Sequence, residues 1–327
     1  MRRREFIFAL LSGAAAWPLT GRAQQAAMPV IGFLNSASSA EWTRFLTAFR
    51  RGLRESGFVE SLNVTIEFRW AEGQYDRLPT LATDLVNRGI AVLVATGGST
   101  SALAAKAATT TIPIVFSTGG DPVEEGLVAR LDQPGGNSTG VSLLTNVLVA
   151  KRLEILREVV PNASIIGMLL NPSGAGAKTQ LEGVEKAART IGQQVHILRA
   201  SSEREFEAVF ATIVQMRIGA LIVGGDPFFN TRRDQLVALA ARDRIPSIYE
   251  WREYAEAGGL MSYGSDLADG YHQVGIYVGR ILKGDKPADL PVVQLTKVEF
   301  VLNLKTARSL GLTISLPLLG RADEVIE

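Results

Sequence analysis

Four short apolar, β-branched runs occur twice in this chain in the same order, and this repeat constrains the fold more than any other feature. Longer patterns typical of amphipathic helices separate the runs, as expected for stacked βαβ units on a mostly parallel sheet. Repetition of the whole set predicts two lobes of like fold rather than one continuous sheet. The runs are residues 30–34, 64–68, 91–95 and 112–116 in the first set, and 165–171, 194–198, 220–225 and 245–249 in the second.

Helices are predicted between the runs of the first set, over residues 41–56, 78–87 and 101–108. In the first of these, Phe45, Phe49 and Leu53 share one face at helical spacing, and Gly57 supplies a stop.

The chain then continues past the second set of runs. A bridging run at 137–144 joins the two sets, and a strand at 258–264, a helix at 267–282 and an extended run at 292–302 follow the second set. Gly284 ends the late helix. Because these elements are surplus to the second lobe, we expect the chain to return to the first lobe and cross again, which makes a hinge.

The expected divisions of the chain follow from this arrangement. The first lobe takes residues 28–141 plus about 263–286, and the second lobe takes residues 142–262 plus about 287–304. Residues 1–27 precede the lobes, and residues 305–327 form a C-terminal tail.

The first 27 residues have the pattern of an export signal. A twin-arginine run with a third arginine, Arg2 to Arg4, precedes an apolar stretch at 7–17 and a small-residue segment at 18–27. The apolar stretch is too short to span a bilayer of about 30 Å as a helix. Cleavage is expected near residues 23–27, which places the mature protein in the periplasm. A buried N-terminal helix with a basic start is the alternative.

Composition limits what the remaining chain can do. The hydrophobic content of the full chain, 46%, can fill a core, and no apolar run after residue 27 is long enough to cross a membrane. The chain carries a formal charge of +1, to which residues 1–27 contribute +3, so the remainder stands at −2. Nucleic-acid binding is therefore not expected, because it needs a basic face.

Motifs for catalysis are scarce. The absence of cysteine excludes thiol catalysis, sulfur-ligated metals, disulfides and lipid attachment at a cysteine. His196 and His272, which lie in a strand and in the late helix, are interpreted as structural. The glycine pairs at 97–98 and 119–120 lack the spacing of a dinucleotide motif, and no cofactor or metal is expected. Spacing alone leaves paired acids for sugar hydrolysis open.

Small hydroxyls and glycines follow the strands of the first lobe. Ligands bind at the carboxyl ends of strands in open parallel sheets, so these residues are candidate contacts. Free N–H groups at a helix start favour an anion, and a carboxylate fits there. Helix capping is the alternative role for each hydroxyl. The candidates are Asn35, Ser36, Gly97, Gly98, Ser99, Thr100, Ser117, Thr118 and Asp121.

Carboxylates and aromatic rings follow the strands of the second lobe. Facing the first edge across a cleft, they could hold an ammonium group by charge and by contact with ring faces. An anion site opposite a cation site describes a zwitterion such as an amino acid. Asp226 could instead cap a helix, and Phe228 or Trp251 could belong to the core. The candidates are Asn171, Asp226, Phe228 and Glu250, with Tyr263 in the later strand.

Several of these segments resemble a known family. Residues 112–123, 137–142 and 258–264, in this order, are similar to the solute-binding proteins of ABC importers in the TrpX-like group. The resemblance implies an α/β type I periplasmic-binding-protein fold, with two Rossmann-like lobes joined by a three-crossing hinge. It also implies capture of a small solute, often an aromatic or branched amino acid, for a membrane permease.

Carried onto this chain, the resemblance implies carboxylate contacts at Gly98, Ser99, Ser117 and Thr118 and ammonium contacts at Asp226 and Glu250. We therefore interpret the chain as an extracytoplasmic solute-binding protein rather than an enzyme. Two alternatives stay open: a sensor subunit that signals to a membrane receptor, and an exported α/β enzyme.

Overall fold

The computed structural model describes residues 28–327. The predicted export signal and its cleavage site lie outside the described residues. Within 28–327 the chain forms two α/β lobes, each built on a sheet of mainly parallel strands, and the predicted type I periplasmic-binding fold is confirmed. In this part of the chain, no helix has both the length and the apolar character needed to cross a membrane.

The strands and helices alternate along most of the chain. The strands are β1 Val30–Asn35, β2 Thr65–Trp70, β3 Val92–Thr96, β4 Ile114–Thr118, β5 Ser138–Ser142, β6 Ile165–Leu170, β7 Gln194–Arg199, β8 Ala220–Val223, β9 Ser247–Tyr249, β10 Met261–Ser265, β11 Val293–Gln294, β12 Val298–Asn303 and β13 Glu324–Ile326. The helices are α1 Thr43–Glu55, α2 Leu78–Asn87, α3 Ser99–Ala108, α4 Val149–Val159, α5 Ala177–Ile191, α6 Phe206–Gln215, α7 Pro227–Thr231, α8 Arg233–Arg242, α9 Arg252–Glu256, α10 Leu267–Leu282, α11 Leu304–Ser309 and α12 Leu316–Leu319.

The two sheets repeat one strand order. The first sheet runs β11-β5-β4-β3-β1-β2, and the second runs β13-β12-β10-β9-β8-β6-β7. Strands β6 to β10 therefore occupy the places that β1 to β5 occupy in the first sheet. The register repeats as well: Phe33 of β1 lies between Phe68 and Val94, as Met168 of β6 lies between Ile197 and Ile222.

Apolar residues at the predicted spacings form the cores. Every residue of β3 and of β8 is buried, because helices cover both faces of these central strands. On α1, Phe45, Phe49 and Leu53 are buried together, as their helical spacing predicts. The helix is followed by Gly57, whose φ of +87° is a conformation that glycine adopts easily.

Three connections link the lobes: after β5, between β10 and α10, and between β11 and β12. Their positions correct the sequence-based boundaries. Residues 263–265 belong to β10 in the second sheet rather than to the first lobe. Strand β11 pairs with β5, so residues 287–294 lie with the first lobe rather than the second. The predicted tail, residues 305–327, contributes β13 to the second sheet beside β12.

The extended run at 292–302 is divided because polar Thr296 and Lys297 interrupt it. On the first-lobe side, Val292 and Leu295 are buried and donate their N–H groups to the carbonyls of Leu131 and Ser142. On the other side, β12 pairs antiparallel with β10. One apolar run thus serves two sheets, a division that hydrophobicity alone does not predict.

Candidate functional site

The candidate site is a cavity between the lobes. Its lining residues mostly follow the carboxyl ends of strands, where open parallel sheets bind ligands. They are Trp42, Gly97, Gly98, Ser99, Thr100, Ser117, Gly119, Leu143, Thr145, Asn146, Ala175, Gly176, Gly225, Asp226, Pro227, Glu250, Trp251, Leu267 and Tyr271. No lysine or arginine is among them, and the two charged lining side chains are carboxylates.

The first lobe presents the N-terminus of α3 to the cavity. Gly98 is the N-cap residue, and no side chain caps the N–H groups of the first turn. Gly97 and Gly98 have φ of +79° and +88°, and a Cβ at position 97 would lie 2.5 Å from Asn35 Oδ1. Glycine is therefore required for this close turn. The open N–H groups and the helix dipole give this wall partial positive charge.

Hydroxyl groups surround this helix end. Ser117, at the end of β4, lines the cavity. Ser99 Oγ lies 2.5 Å from Thr118 Oγ1, and both hydroxyls donate to the Glu125 carboxylate, at 2.6 and 2.7 Å. Burial raises the pKa of Glu125, and these two hydrogen bonds lower it. Glu125 thus holds the Ser99 side chain in place from behind the cavity wall.

The second lobe presents Asp226, the N-cap residue of α7. Its Oδ1 accepts from Phe228 N at 3.0 Å, Asn171 Nδ2 at 2.9 Å and Tyr75 OH at 2.7 Å. Oδ2 accepts none of these bonds and lies next to Gly174. Burial raises the pKa of Asp226 to about 6, while these donors lower it.

Glu250 is the second carboxylate of this wall. It is 3% exposed, and its Oε2 has no hydrogen-bond partner among the described residues. A Cβ at position 225 would lie 1.6 Å from that oxygen, so Gly225 makes room for it. Burial raises the pKa of Glu250, and the charge of the buried Arg152 lowers it. Arg152 is fixed by its bonds to the carbonyls of Tyr263 and Thr145, at 3.0 and 2.6 Å.

Three aromatic rings complete the wall. Trp42 and Tyr271 come from the first lobe, and Trp251 comes from the second. Tyr271 OH accepts from Trp42 Nε1 at 2.5 Å and from Asn35 Nδ2 at 3.0 Å, which fixes both rings. Such rings offer large apolar faces to a ligand side chain and to a cation.

Direct contacts close the cleft in this structure. Ala175 N of the second lobe donates to Thr100 Oγ1 at 3.3 Å. Ion pairs join Glu41 to Arg233 at 2.5 Å and Arg44 to Glu253 at 3.4 Å. Ligand-independent contacts of this kind stabilise the closed arrangement.

The structure brings half of the sequence-predicted residues to the cavity and places others behind its wall. Gly97, Gly98, Ser99, Thr100, Ser117, Asp226 and Glu250 line the cavity. Asn35, Ser36, Thr118 and Asn171 are buried outside the lining, where Asn35 supports Tyr271, Ser36 donates to the Gly97 carbonyl, Thr118 joins Ser99, and Asn171 donates to Asp226.

Three predicted contacts lie elsewhere. The Asp121 carboxylate accepts from Val123 N at 2.8 Å and so closes its own turn. Phe228 packs against Phe206 and Phe229 in the core, which is the alternative that the sequence left open. Tyr263 does not line the cavity, and its backbone carbonyl accepts from Arg152.

Sequence reasoning missed the lining residues supplied by helices and connections. Trp42 precedes α1, Tyr271 lies on α10, and Thr145 and Asn146 lie in the first connection between lobes. Gly119 follows a predicted strand and Gly225 ends one, so the strand-end rule could have found both. The helix and connection residues carry no such signal.

His272 lies where two helices of the first lobe meet. His272 Nε2 lies 2.7 Å from Glu55 Oε2, so it joins α10 to α1. Within residues 28–327, no cluster of three His, Cys, Asp or Glu side chains could hold a metal ion.

A family model described as ABC transporter substrate binding protein matches residues 34–326. The chain belongs to this family. Its members bind small solutes outside the cytoplasm and work with a membrane permease.

Individual relatives cover most of the chain. A tyrosine-binding protein of Clostridioides difficile is 27% identical over 264 residues, which are 81% of this chain and 75% of the relative. The structure of a conserved domain protein from Vibrio cholerae has a TM-score of 0.84 at 27% identity and covers 91% of this chain and 99% of that one. A Streptococcus pneumonia ABC domain in complex with L-Trp has a TM-score of 0.82 at 28% identity, with the same coverage.

The arrangement of the two lobes can be compared with that of a ligand-free relative. The ligand-free, open structure of a substrate-binding protein with adhesive properties from Clostridium difficile is 26% identical, with coverage of 91% and 99%, but its TM-score is 0.64. At similar identity, the present structure therefore superposes better on the L-Trp complex than on the open form. This agrees with the cross-cleft contacts.

Proposed function

We propose that the cavity captures a free amino acid with an aromatic side chain and that the loaded protein delivers it to an ABC permease. One observation carries the proposal: the two walls have opposite polarity. The first lobe offers an uncapped helix N-terminus with hydroxyls, and the second offers two buried carboxylates. A zwitterion satisfies both walls at once.

The carboxylate of the solute is assigned to the first lobe. The N–H groups at the start of α3 have no side-chain cap, and the Ser117 hydroxyl stands beside them, whereas the Ser99 hydroxyl already donates to Glu125. Backbone donors at a helix N-terminus bind anions well, because the dipole adds to the hydrogen bonds.

The ammonium group is assigned to Asp226 and Glu250. Asp226 Oδ1 is occupied by three donors, which leaves Oδ2 for the solute. Glu250 keeps one oxygen without a partner among the described residues. An ammonium between these oxygens offsets the cost of burying two carboxylates.

The side chain of the solute is assigned to the rings. Trp42, Trp251 and Tyr271, with Leu143 and Leu267, offer an apolar surface suited to an aromatic or branched side chain. The likeness to a tyrosine-binding protein and to an L-Trp complex supports the aromatic choice. Because the solute contacts both lobes, its binding favours closure.

Ligand truncation tests this proposal. Isothermal titration with L-tryptophan, L-tyrosine, L-phenylalanine and L-leucine should find at least one aromatic amino acid that binds. L-Tryptophan is then compared with tryptamine, which lacks the carboxylate, and with 3-indolepropionate, which lacks the ammonium. Each truncation should weaken binding by about 30-fold or more, because it leaves one polar wall unpaired. Equal affinity for 3-indolepropionate, or conversion of the bound amino acid seen by mass spectrometry, would overturn the proposal.

Export and delivery are part of the same proposal. Residues 1–27 would direct the protein to the periplasm by the twin-arginine route, with cleavage near residues 23–27. Replacing Arg2, Arg3 and Arg4 by lysine should leave uncleaved precursor in the cytoplasm. N-terminal sequencing of periplasmic protein locates the cleavage. Export of the lysine variant at the normal rate would contradict the twin-arginine route.

A further inference from the structure

One hydrogen bond to Asp226 comes from the opposite lobe. Tyr75 begins a short 3₁₀ turn, Tyr75–Arg77, between β2 and α2 of the first lobe. Its hydroxyl donates to Asp226 Oδ1 at 2.7 Å and accepts from Phe228 N at 3.2 Å, and both partners belong to the second lobe. The Tyr75 hydroxyl therefore makes both of its bonds across the cleft.

We propose that Tyr75 is a positioning residue for the ammonium site, which fixes the Asp226 carboxylate only when the lobes close. This inference rests on the function proposed above. Asn171 and Phe228 also donate to Oδ1, but both lie in the second lobe and stay with Asp226 when the cleft opens. Tyr75 moves with the first lobe, so closure adds the third donor and orients Oδ2 toward the solute.

Packing makes this contact more than a chance approach of two polar groups. The Tyr75 ring packs against hydrophobic clusters of the protein. Two residues earlier, a Cβ at Gly73 would lie 3.2 Å from the Phe228 ring. Residues 73–75 thus rest on the first turn of α7, and they hold the hydroxyl against the carboxylate.

The groups around Asp226 determine the direction in which its pKa changes when the Tyr75 hydrogen bond is lost. Glu250 and Tyr254 of the second lobe and Tyr75 of the first are the titratable groups that interact with it. Burial raises the pKa of Asp226, and the Tyr75 hydrogen bond lowers it. Loss of that bond should raise the pKa further, so that Asp226 is protonated, and unable to hold an ammonium, at higher pH.

The test compares Tyr75→Phe with Tyr277→Phe, using L-tryptophan as the probe. Tyr277 is a matched control because its hydroxyl also makes a hydrogen bond, to the Pro291 carbonyl at 2.5 Å, but inside the first lobe. Tyr75→Phe should weaken binding about tenfold at neutral pH, the size of one hydrogen bond to a charged group. The pH at which affinity falls should also move upward. Tyr277→Phe should change neither quantity.

A second pair of variants separates positioning from simple latching of the lobes. In an Asp226→Asn background, Tyr75→Phe should weaken L-tryptophan binding by less than about twofold, because the charged carboxylate that Tyr75 orients is absent. An equal loss in both backgrounds, or a pH profile identical to that of the wild type, would overturn the inference. If Asp226→Asn alone binds like the wild type, the proposed function itself fails, which is a different result.

Discussion

The two lobes share a fold but differ in charge at equivalent places. Strand β3 leads into α3 through Gly98, and strand β8 leads into α7 through Asp226. Both residues are N-caps. Glycine leaves the helix N–H groups without a side-chain cap, whereas the aspartate caps its helix with Oδ1 and keeps Oδ2 out of that bond.

The next pair of strands differs in the same way. The end of β4 carries the neutral Ser117, and the residue after β9 is Glu250. The backbone repeat therefore places cavity-lining residues at equivalent positions of the two lobes, and the side chains at these positions differ in charge.

Placing a carboxylate in the first lobe, where the second lobe has one, should reduce affinity for L-tryptophan more than any other change. Gly98→Asp would place a negative charge where the solute carboxylate is assigned, on a turn whose φ of +88° strains any side chain, so affinity for L-tryptophan should fall by more than about 100-fold. Gly98→Asn is the matched control, because it puts a side chain of the same size on the same positive-φ turn without the charge. Equal affinities of Gly98→Asp and the control for L-tryptophan would disprove the assignment of the solute carboxylate to the start of α3.

Removing the charge of the second lobe should have the next largest effect. Asp226→Asn keeps an oxygen that can accept from Phe228 N, so α7 stays capped, but affinity for L-tryptophan should fall by about 30-fold or more. Glu182→Gln on the exposed face of α5 is the control for a lost carboxylate. Titration calorimetry measures both, and an Asp226→Asn affinity within twofold of wild type would rule out the ammonium site.

The pH dependence should report the same carboxylate. With a pKa of about 6, Asp226 is ionised at pH 7.5 and about nine-tenths protonated at pH 5. A bound ammonium favours the ionised form, so affinity should be about tenfold weaker at pH 5 than at pH 7.5. Glu250, whose pKa is also raised by burial, acts in the same direction.

The folding stability of the ligand-free protein should depend on pH in the opposite sense, because it should fall as the pH rises. A raised carboxyl pKa means that the Asp226 contribution to folding stability is fully present below its ordinary value of 3.8 and is lost as pH rises through about 6. Titrations of L-tryptophan between pH 5 and 8 check the pH dependence of binding, and Asp226→Asn should reduce it to the part that Glu250 contributes. Affinity that rises toward pH 5 would contradict the account.

Removing one neutral hydroxyl from the first lobe should have the smallest effect. Ser117→Ala should weaken L-tryptophan binding by about threefold to tenfold, the size of one neutral hydrogen bond. Ser247→Ala is the control, because Ser247 is also buried but donates to the Ile245 carbonyl, and it does not line the cavity. If the two variants bind equally well, Ser117 does not contact the solute.

Much of the fold could be predicted from the sequence because burial and local periodicity determine it. The repeated runs predicted eight strands divided between two lobes, and the late helix was predicted at 267–282, the bounds it has in the structure. Strand β11 was predicted only as part of the run at 292–302, and β13 could not be assigned, since its three residues are not part of a longer apolar run.

The candidate site was harder to predict, because strand ends locate loops but not the direction of each side chain. Asp121 turns back to its own loop, and Phe228 packs into the core rather than the cavity. Trp42 and Tyr271 reach the cavity from helices that only the three-dimensional arrangement brings together.

A crystal structure of the mature protein with its bound aromatic amino acid tests the central claim most directly. The account predicts the solute carboxylate on the N–H groups at the start of α3 and the ammonium within hydrogen-bond distance of Asp226 Oδ2 and Glu250. A solute bound in the reverse orientation, or held by one lobe alone, would contradict it.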